Sequence, residues 1–599
     1  MFDKGHSFAF RVSTILALIF FSFILITCSK QPEEMKVSKE KLLSDPFLQL
    51  PQQDSVRVVW FTEFEGSRHY VIYGEGYKKK VEATTTKLTY VQEDQKSFVG
   101  EQKEEGQIYQ KPQKRDIWRH EAKVTGLKPN ISTPYFVTSL NKEGRAVKSD
   151  KFTLAPKPKP GTPLKILLTS DHQLKPMVAA NLEKVEETIG KVDGIFFAGD
   201  LVNIPDRASE WFDDNRGGAF FPALQGRANY KLNTSGSQVS YKGGELLQNA
   251  PLYTAIGNHE VMGRKEAELD LNKQFIATLP RFITGKRYLV QKGQINPQDN
   301  SQTKETWIKN NSFNTDTYQE LFTLPTSKPG QDKYYAVTFG DVRLVVLYVT
   351  RIWRSPGLGA KRKGKYREAK KDLNSPQQWG HGQHIFEPIK KGSNQYEWLK
   401  EELESPEFTQ AKYKMVMLHH PPHSLGENAI PAYTDPVQIV EKNQENQVTG
   451  VRYEYPQAQD YLIQDVVPLL EKAGVNLVLY GHSHLWNRFI SPQGINFLET
   501  SNVGNSYGAY LGKKKRKTPQ GYQEHYAATG NPNGLEPIVP SIAPLKDENG
   551  QALPYIASNE ITVFSILDTG EGTVTSYYFD TRKPESEVVK FDQFSLKPR

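Results

Sequence analysis

Cysteine is almost missing. The 599 residues contain one, Cys28, so no disulfide can form within the chain. Long apolar runs are nearly missing too. Residues 12–27 (VSTILALIFFSFILIT) approach the length needed to span a bilayer, and no later stretch does. There is no strong excess of one charge: 76 Lys plus Arg against 68 Asp plus Glu leave a net +8, mild for this size. Composition therefore gives no reason to expect a nucleic-acid partner. With 37% hydrophobic and 11% aromatic residues, the chain is neither disordered nor low in complexity. Its length suggests two or three domains.

What is present begins with a basic start (Lys4, Arg11) before the short apolar run, the pattern of a signal peptide. Residues 25–28 (LITC) resemble the lipobox of bacterial lipoproteins. That resemblance implies cleavage before Cys28 and lipidation of its sulfur and amine, with an uncleaved anchor as the plainer alternative. Acyl chains contribute about 0.8 kcal/mol per buried CH₂, so several together hold a protein at a membrane. The expected location is the bacterial cell envelope, at the outer membrane or periplasmic face. Ser29 after the cysteine leans towards the outer membrane.

Residues 28–50 are polar and read as a tether. Residues 51–155 carry short alternating strands and turns without helical periodicity, which predicts a β-sandwich. Within them VTGLKPNISTPYFV (124–137) resembles the fibronectin type III signature through Leu127, Pro129 and Tyr135, the last as its corner tyrosine. The proline-rich stretch 156–163 reads as a stiff linker. From 164 to 599 the texture becomes βα alternation. Apolar strands are expected at 165–170, 194–198, 252–256, 414–418 and 475–480, with helices at 178–189, 395–404 and 465–473. Residues 213–248, 263–411 and 505–553 read as long insertions, and 560–579 as a closing hairpin. Continuous apolar strands imply a sheet buried on both faces.

Each of the five strands runs into a polar cluster: Ser170-Asp171-His172-Gln173, Gly199-Asp200, Gly257-Asn258-His259-Glu260, His419-His420-Pro421-Pro422 and Gly481-His482-Ser483-His484. Ligands bind at the carboxyl ends of strands in open α/β sheets, so these groups should share one rim. Imidazole, carboxylate and amide donors without thiolate suit Mn, Fe or Zn and disfavour structural zinc. Two carboxylates with several imidazoles can hold two ions about 3.5–4 Å apart, the spacing of two-metal phosphoryl chemistry.

The ordered set D-x-(H/Q), GD, GNH, H-x-P, GHxH resembles the calcineurin-like metallophosphoesterase superfamily. GHSHLWNR at 481–488 and the preceding β-domain resemble its purple acid phosphatase branch. The resemblance implies a four-layer α/β/β/α catalytic domain, classed α/β, and a cofactor of two divalent or trivalent ions. Asp171, Gln173, Asp200 and His484 would hold one ion. Asp200, Asn258, His419 and His482 would hold the other, with Asp200 bridging. A hydroxide between the ions would attack phosphorus in line, and His259 would stabilise charge and protonate the leaving oxygen. Two positions depart from the pattern. Gln173 stands where His is usual, which makes that site harder and tilts it towards Mn or Fe, with His172 as a rival ligand. Asn203 stands where the purple branch has a metal-binding Tyr, so the purple colour should be absent.

The implied function is a phosphomonoesterase acting on a phosphorylated small molecule or nucleotide. A phosphodiesterase or nucleotide hydrolase would use the same centre, and a surface-binding lipoprotein with a vestigial metal site is the alternative of another class. His420 is expected to orient or shield the centre, and His423 either to approach substrate or to cap a loop. His381 and His384 (WGHGQH) read as a solvated or substrate-lining loop, since two ligands alone make no metal site. The basic runs at 361–371 and 513–517 read as solvated loops, with attraction of an anion as the alternative.

Overall fold

The computed structural model describes residues 41–99, 109, 111–234, 237–263, 268–355, 357–426, 428, 432–511, 518–522 and 532–596. Cys28, the apolar run before it and the basic run 513–517 lie outside these residues. Residues 40–599 form one compact unit. No helix among the described residues is long and apolar enough to cross a membrane.

The amino-terminal part is all-β. Strands Phe47–Gln52, Ser55–Thr62, Trp118–Val124 and Thr84–Lys87 form one antiparallel sheet in that order. Ala146–Lys148, Thr133–Leu140, Arg68–Tyr73 and Lys79–Glu82 form the other, with Phe152–Leu154 also pairing to Thr133–Leu140. Alternate residues meet between the sheets, where Val56, Val58, Trp60, Val71, Ala122 and Val137 build a separate core. Two expectations change. The first strand starts inside the segment read as a tether, and Leu42, Leu43, Phe47 and Leu48 are buried there. Tyr135 is not a corner tyrosine closing on its own domain: its hydroxyl donates to the carbonyl of Gln248 in the following layer (2.7 Å). The sandwich is fused to that layer. Phe47 and Phe61 stack among Phe212, Phe221 and Phe322, in one continuous apolar cluster with the catalytic sheets.

Two mixed sheets face each other in the rest of the chain. One has six strands, in the order Leu252–Thr254, Gly194–Phe197, Lys165–Thr169, Ile561–Asp568, Thr573–Asp580, Val589–Ser595, and its first three are parallel. The other has seven, in the order Tyr335–Phe339, Val342–Val346, Tyr413–Met417, Leu477–Tyr480, Asn496–Thr500, Trp486–Ile490, Tyr555–Ile556. Strand alternation assigns each apolar side chain to one of two cores. Leu344, Val346, Met415, Met417, Leu477 and Leu479 point between the sheets. Val345, Val416, Val478 and Tyr480 point outward, onto Leu399 and Leu403 of helix Asn394–Leu403 and onto Leu462, Val466 and Leu470. Leu182 and Val185 of helix Val178–Ile189 join the first core from the opposite side. Burial on both faces is why these strands read as unbroken apolar runs.

The expected strands and helices are present with small shifts of boundary. The main difference is inside 263–411. That stretch is not only an insertion, since it supplies the antiparallel hairpin Tyr335–Phe339/Val342–Val346 at one edge of the second sheet. Helices Arg281–Ile295 and Ser301–Asn310 from the same stretch pair with each other.

Candidate metal centre

The five polar strand ends converge. Asp171, Asp200 and His419 bring donor atoms within 4.8 Å of one another, and so do His419, His420 and His482. His419 Nε2 lies 3.2 Å from Asp200 Oδ2, and His484 Nε2 lies 3.4 Å from Asp171 Oδ1. The Gln173 amide donates to Asp200 Oδ2 (2.8 Å). The His259 backbone N–H donates to Asp200 Oδ1 (2.8 Å), and its ring Nε2 stands 4.0 Å from Oδ2. Asp200 is thus the hub.

The backbone aims these groups at some cost. Asp171, Gln173, Asp200, His482 and His484 all occupy the left-handed region, with φ between 46° and 82°. Non-glycine residues rarely adopt it, and such strain gathers at functional sites. Glycine is required where the strands crowd together. A Cβ on Gly257 would overlap Asp200 Oδ1, and one on Gly481 would overlap Asp171 Oδ2 and Ser170 Oγ. At Gly199 (φ 93°) a Cβ would come within 2.9 Å of His419 Nδ1.

Surrounding groups fix each ring and carboxylate. His419 Nδ1 bonds the carbonyl of Ala198 (2.8 Å), and His484 Nδ1 that of Asn505 (2.9 Å), which turns both Nε2 atoms inward. Glu260 accepts from the backbone N–H groups of Asp200, Leu201 and Gly257. Glu499 accepts from the Ser483 N–H and the Ser424 hydroxyl. Burial pushes both of these carboxyls up to about 8, and their ionised neighbours Asp200 and Asp171 push the same way. Burial opposes the charge on Asp171 and Asp200 as well, but cations prevail. Lys175, His484 and His419 hold Asp171 far below the usual carboxylate range, and His419 and His259 bring Asp200 down to about 2. Against its own burial, His419 rises to about 9 beside Asp200 and Asp171.

Asn258 Oδ1 and His482 Nε2 at this rim have no hydrogen-bond partner among the described residues, and Asp171 Oδ1 and His419 Nε2 meet no more than their ion-pair contacts with His484 and Asp200. Leaving these polar atoms so poorly met in one place is costly. They are oxygen and imidazole donors on a charged carboxylate frame, so the residues fit a pair of cations.

A cavity of about 760 Å³ opens over the rim, lined by Gln173, Asp200, Asn258, His259, His482 and His484. Exposed apolar side chains, Phe98, Ile276, Trp353 and Tyr507, also border it, and Lys96 and Phe98 reach it from the all-β part. Sequence reasoning found the rim and left some of its neighbours open. The Nε2 of His172, the rival to Gln173, meets Thr169 Oγ1 (3.0 Å), and its ring rests edge-on against Phe197. His420 is buried against the His482 ring (4.1 Å), brings a donor atom within 4.8 Å of those of His419 and His482, and does not line the cavity. His423 does not reach substrate either, since its ring is packed on Phe489 and Phe497. No motif pointed to Lys175 or Glu499. Glu260 stood in view within GNHE without a role.

No curated protein matches the chain. Among solved structures, purple acid phosphatase PPD1 from yellow lupin (Lupinus luteus) seeds is similar at 14% identity and a TM-score of 0.47, over 92% of this chain and 74% of that one. PhoD is similar at 11% identity and a TM-score of 0.42, over 92% of each chain. GAP50, the anchor in the inner membrane complex of Plasmodium, is similar at 11% and 0.30, over 72% of this chain and 89% of that one. The profile of the calcineurin-like phosphoesterases matches residues 164–485, more than half of the sequence and the stretch that holds all five strand-end clusters, so the chain belongs to that family of metal-dependent phosphoester hydrolases.

Proposed function

We propose that the protein is a phosphomonoesterase with a dinuclear centre. Asp171, Gln173, Asp200 and His484 would hold one ion, and Asp200, Asn258, His419 and His482 the other. The observation that carries this reading is the set of four buried donors on Asp171, Asn258, His419 and His482, gathered from four different strand ends and met among the described residues by nothing beyond the Asp171–His484 and His419–Asp200 contacts. Bound ions would lower the pKa of a coordinated water and neutralise phosphate oxygens.

The chain's own residues supply the rest. His259 lines the cavity with its Nε2 free to face a bound ester, and its Nδ1 is held by the carbonyl of Asn203 (2.6 Å). Nδ1 donates to that carbonyl, so Nε2 is the ring atom left to face the ester, and in the imidazolium form it passes its proton to the departing alcohol and leaves the ring neutral with Nδ1–H. Trp353, Phe98 and Tyr507 give an apolar border for the alcohol part of the substrate and limit water beside it. Gln173 in place of His favours Mn or Fe over Zn at its site. A cavity much larger than one phosphate favours a second reading, a phosphodiesterase or nucleotide hydrolase on the same centre. The LITC sequence supports attachment to an envelope membrane through lipidated Cys28.

The test is hydrolysis of aryl phosphate mono- and diesters with Mn²⁺ and after chelation, in wild type and Asp200→Ala. Turnover of monoesters that chelation and Asp200→Ala both abolish supports the reading. Preference for diesters supports the second. A protein inert towards both with every ion supplied overturns them.

A further inference from the structure

A second cavity, about 980 Å³, shares no lining residue with the cleft over the metal rim. It lies between helix Arg281–Ile295 and the WGHGQH loop, whose role the phosphoesterase chemistry leaves unassigned. The loop is built to hold a fixed shape. Glu368, buried, accepts from the backbone N–H of Gly380 (2.6 Å) and from the Tyr453 hydroxyl (2.6 Å). The Gln383 N–H donates to the Tyr455 hydroxyl (2.8 Å). His381 between two glycines takes a left-handed conformation (φ 62°).

This frame places two imidazoles in the wall. His384 is 4% exposed; the Gly382 backbone lies beside its ring, and neither ring nitrogen makes a well-aligned hydrogen bond among the described residues. The Nε2 of His381 makes none among them either. A buried imidazole so poorly paired carries a desolvation cost that a ligand's polar atoms would relieve. No third metal donor is grouped with them among the described residues, which argues against a metal. Burial, and the cations Arg354 and Arg287 beside it, bring His381 down to about 4, and burial with Arg354 holds His384 low as well. Both are therefore neutral hydrogen-bonding groups near neutral pH.

The other walls are flat carbon surfaces. His384 meets Phe386 edge to face, Phe313 packs tilted against both, and Trp379 and the exposed ring of Phe282 complete the mouth. Such walls favour a planar ring over a chain or a bare phosphate. Charge then sets the sign of the ligand. Arg281, Lys286 and Arg287 line the cavity from the helix, whose fifteen residues include no acid. The two lining acids are matched from outside, Glu387 by Lys333 (3.6 Å) and Asp435 by Lys390 (3.4 Å). The remaining field is positive.

We propose that this cavity is a second ligand site that takes a planar aromatic anion, its ring between Trp379 and the phenylalanines, its polar edge on His384 and His381, and its negative group beside Lys286. The inference stands apart from the phosphoesterase reading and from any ion at the rim.

The test is calorimetric titration of the compact unit 40–599 with 2-naphthoate, in saturating inorganic phosphate so that the metal centre is occupied. One equivalent should bind, and the neutral isostere 2-naphthylmethanol should bind at least tenfold more weakly. His384→Phe should remove binding. Lys286→Glu, at an exposed position that does not affect folding, should weaken it at least tenfold. Leu289→Ser, on the same helix but outside the lining, should change nothing. The proposal is overturned if naphthoate does not bind, if the alcohol binds as well as the anion, if Lys286→Glu leaves binding intact, or if Leu289→Ser abolishes it and so locates the ligand on the open helix face.

Discussion

Asn203 ties together two residues of the rim: its carbonyl accepts from His259 Nδ1 (2.6 Å) while its side-chain amide donates to the carbonyl of Gln173 (2.7 Å). One short turn after Asp200 thus sets both the ring beside the substrate and the backbone of an expected ligand. At the position where the resembling branch has a phenol, this chain has a positioning amide.

That geometry makes His259→Gln informative. Metal content should stay near wild type, because no ligand is lost. The kcat for alkyl phosphates should fall by about 10²–10⁴-fold, the usual range for a lost general acid. For 4-nitrophenyl phosphate, whose alcohol leaves without a proton, the loss should be much smaller. Equal losses with both substrates would remove His259 from that role.

Asp200→Asn should empty the centre. Its carboxylate faces His419, Gln173 and His259 at once. Elemental analysis should show loss of both ions, and hydrolysis should fall by at least about three orders of magnitude, several kcal/mol of transition-state stabilisation.

Gly481→Ala tests the crowding directly. The added methyl meets Asp171 Oδ2 and Ser170 Oγ. Overpacking of this kind costs about 1–3 kcal/mol. The melting midpoint should drop, and bound metal per chain should drop with it. A fully loaded variant with wild-type stability would show that the strand end can give way.

A pH prediction comes from the all-β part. His69 and His120 stack at 3.6 Å, and burial with His69 and Arg119 nearby brings His120 down to about 2. In the unfolded chain His120 gains a proton near pH 6.5, while in the folded chain it stays neutral until far lower. The unfolded state then binds more protons below pH 6.5, so stability should decline as pH falls from there, by up to about 1.4 kcal/mol per pH unit from this group. Thermal melts between pH 7.5 and 5 check the slope, and His120→Gln, which cannot titrate, should flatten it.

The rim was legible because each of its parts is local: an apolar run, then a glycine or polar turn, then a donor. Helix Val178–Ile189 was legible to the residue, since Gly190 (φ 74°) ends it in a conformation glycine favours. The hairpin at 335–346 was hidden, because a long stretch of polar, lysine-rich sequence surrounds it and only pairing with Tyr413–Met417 gives it a place. Lys175 and Glu499 were invisible for a related reason. Their meaning lies in groups that the fold brings together, Glu499 with Ser424 and Ser483, and Lys175 with Asp171 four residues before it and with Asp200 and Glu499 far along the chain. His423 stayed open for the converse reason, because closeness in sequence to His419 carried no information about where its ring would pack.

The tilted packing of Phe47 and Phe61 against Phe212 and Phe221 has an architectural outcome. A cut at the prolines would strip four rings of their cover and remove Lys96 and Phe98 from the mouth of the cleft. The first hundred residues of the folded unit are thus a wall of the enzyme, and recombination could not swap them for another module without rebuilding the chamber they close.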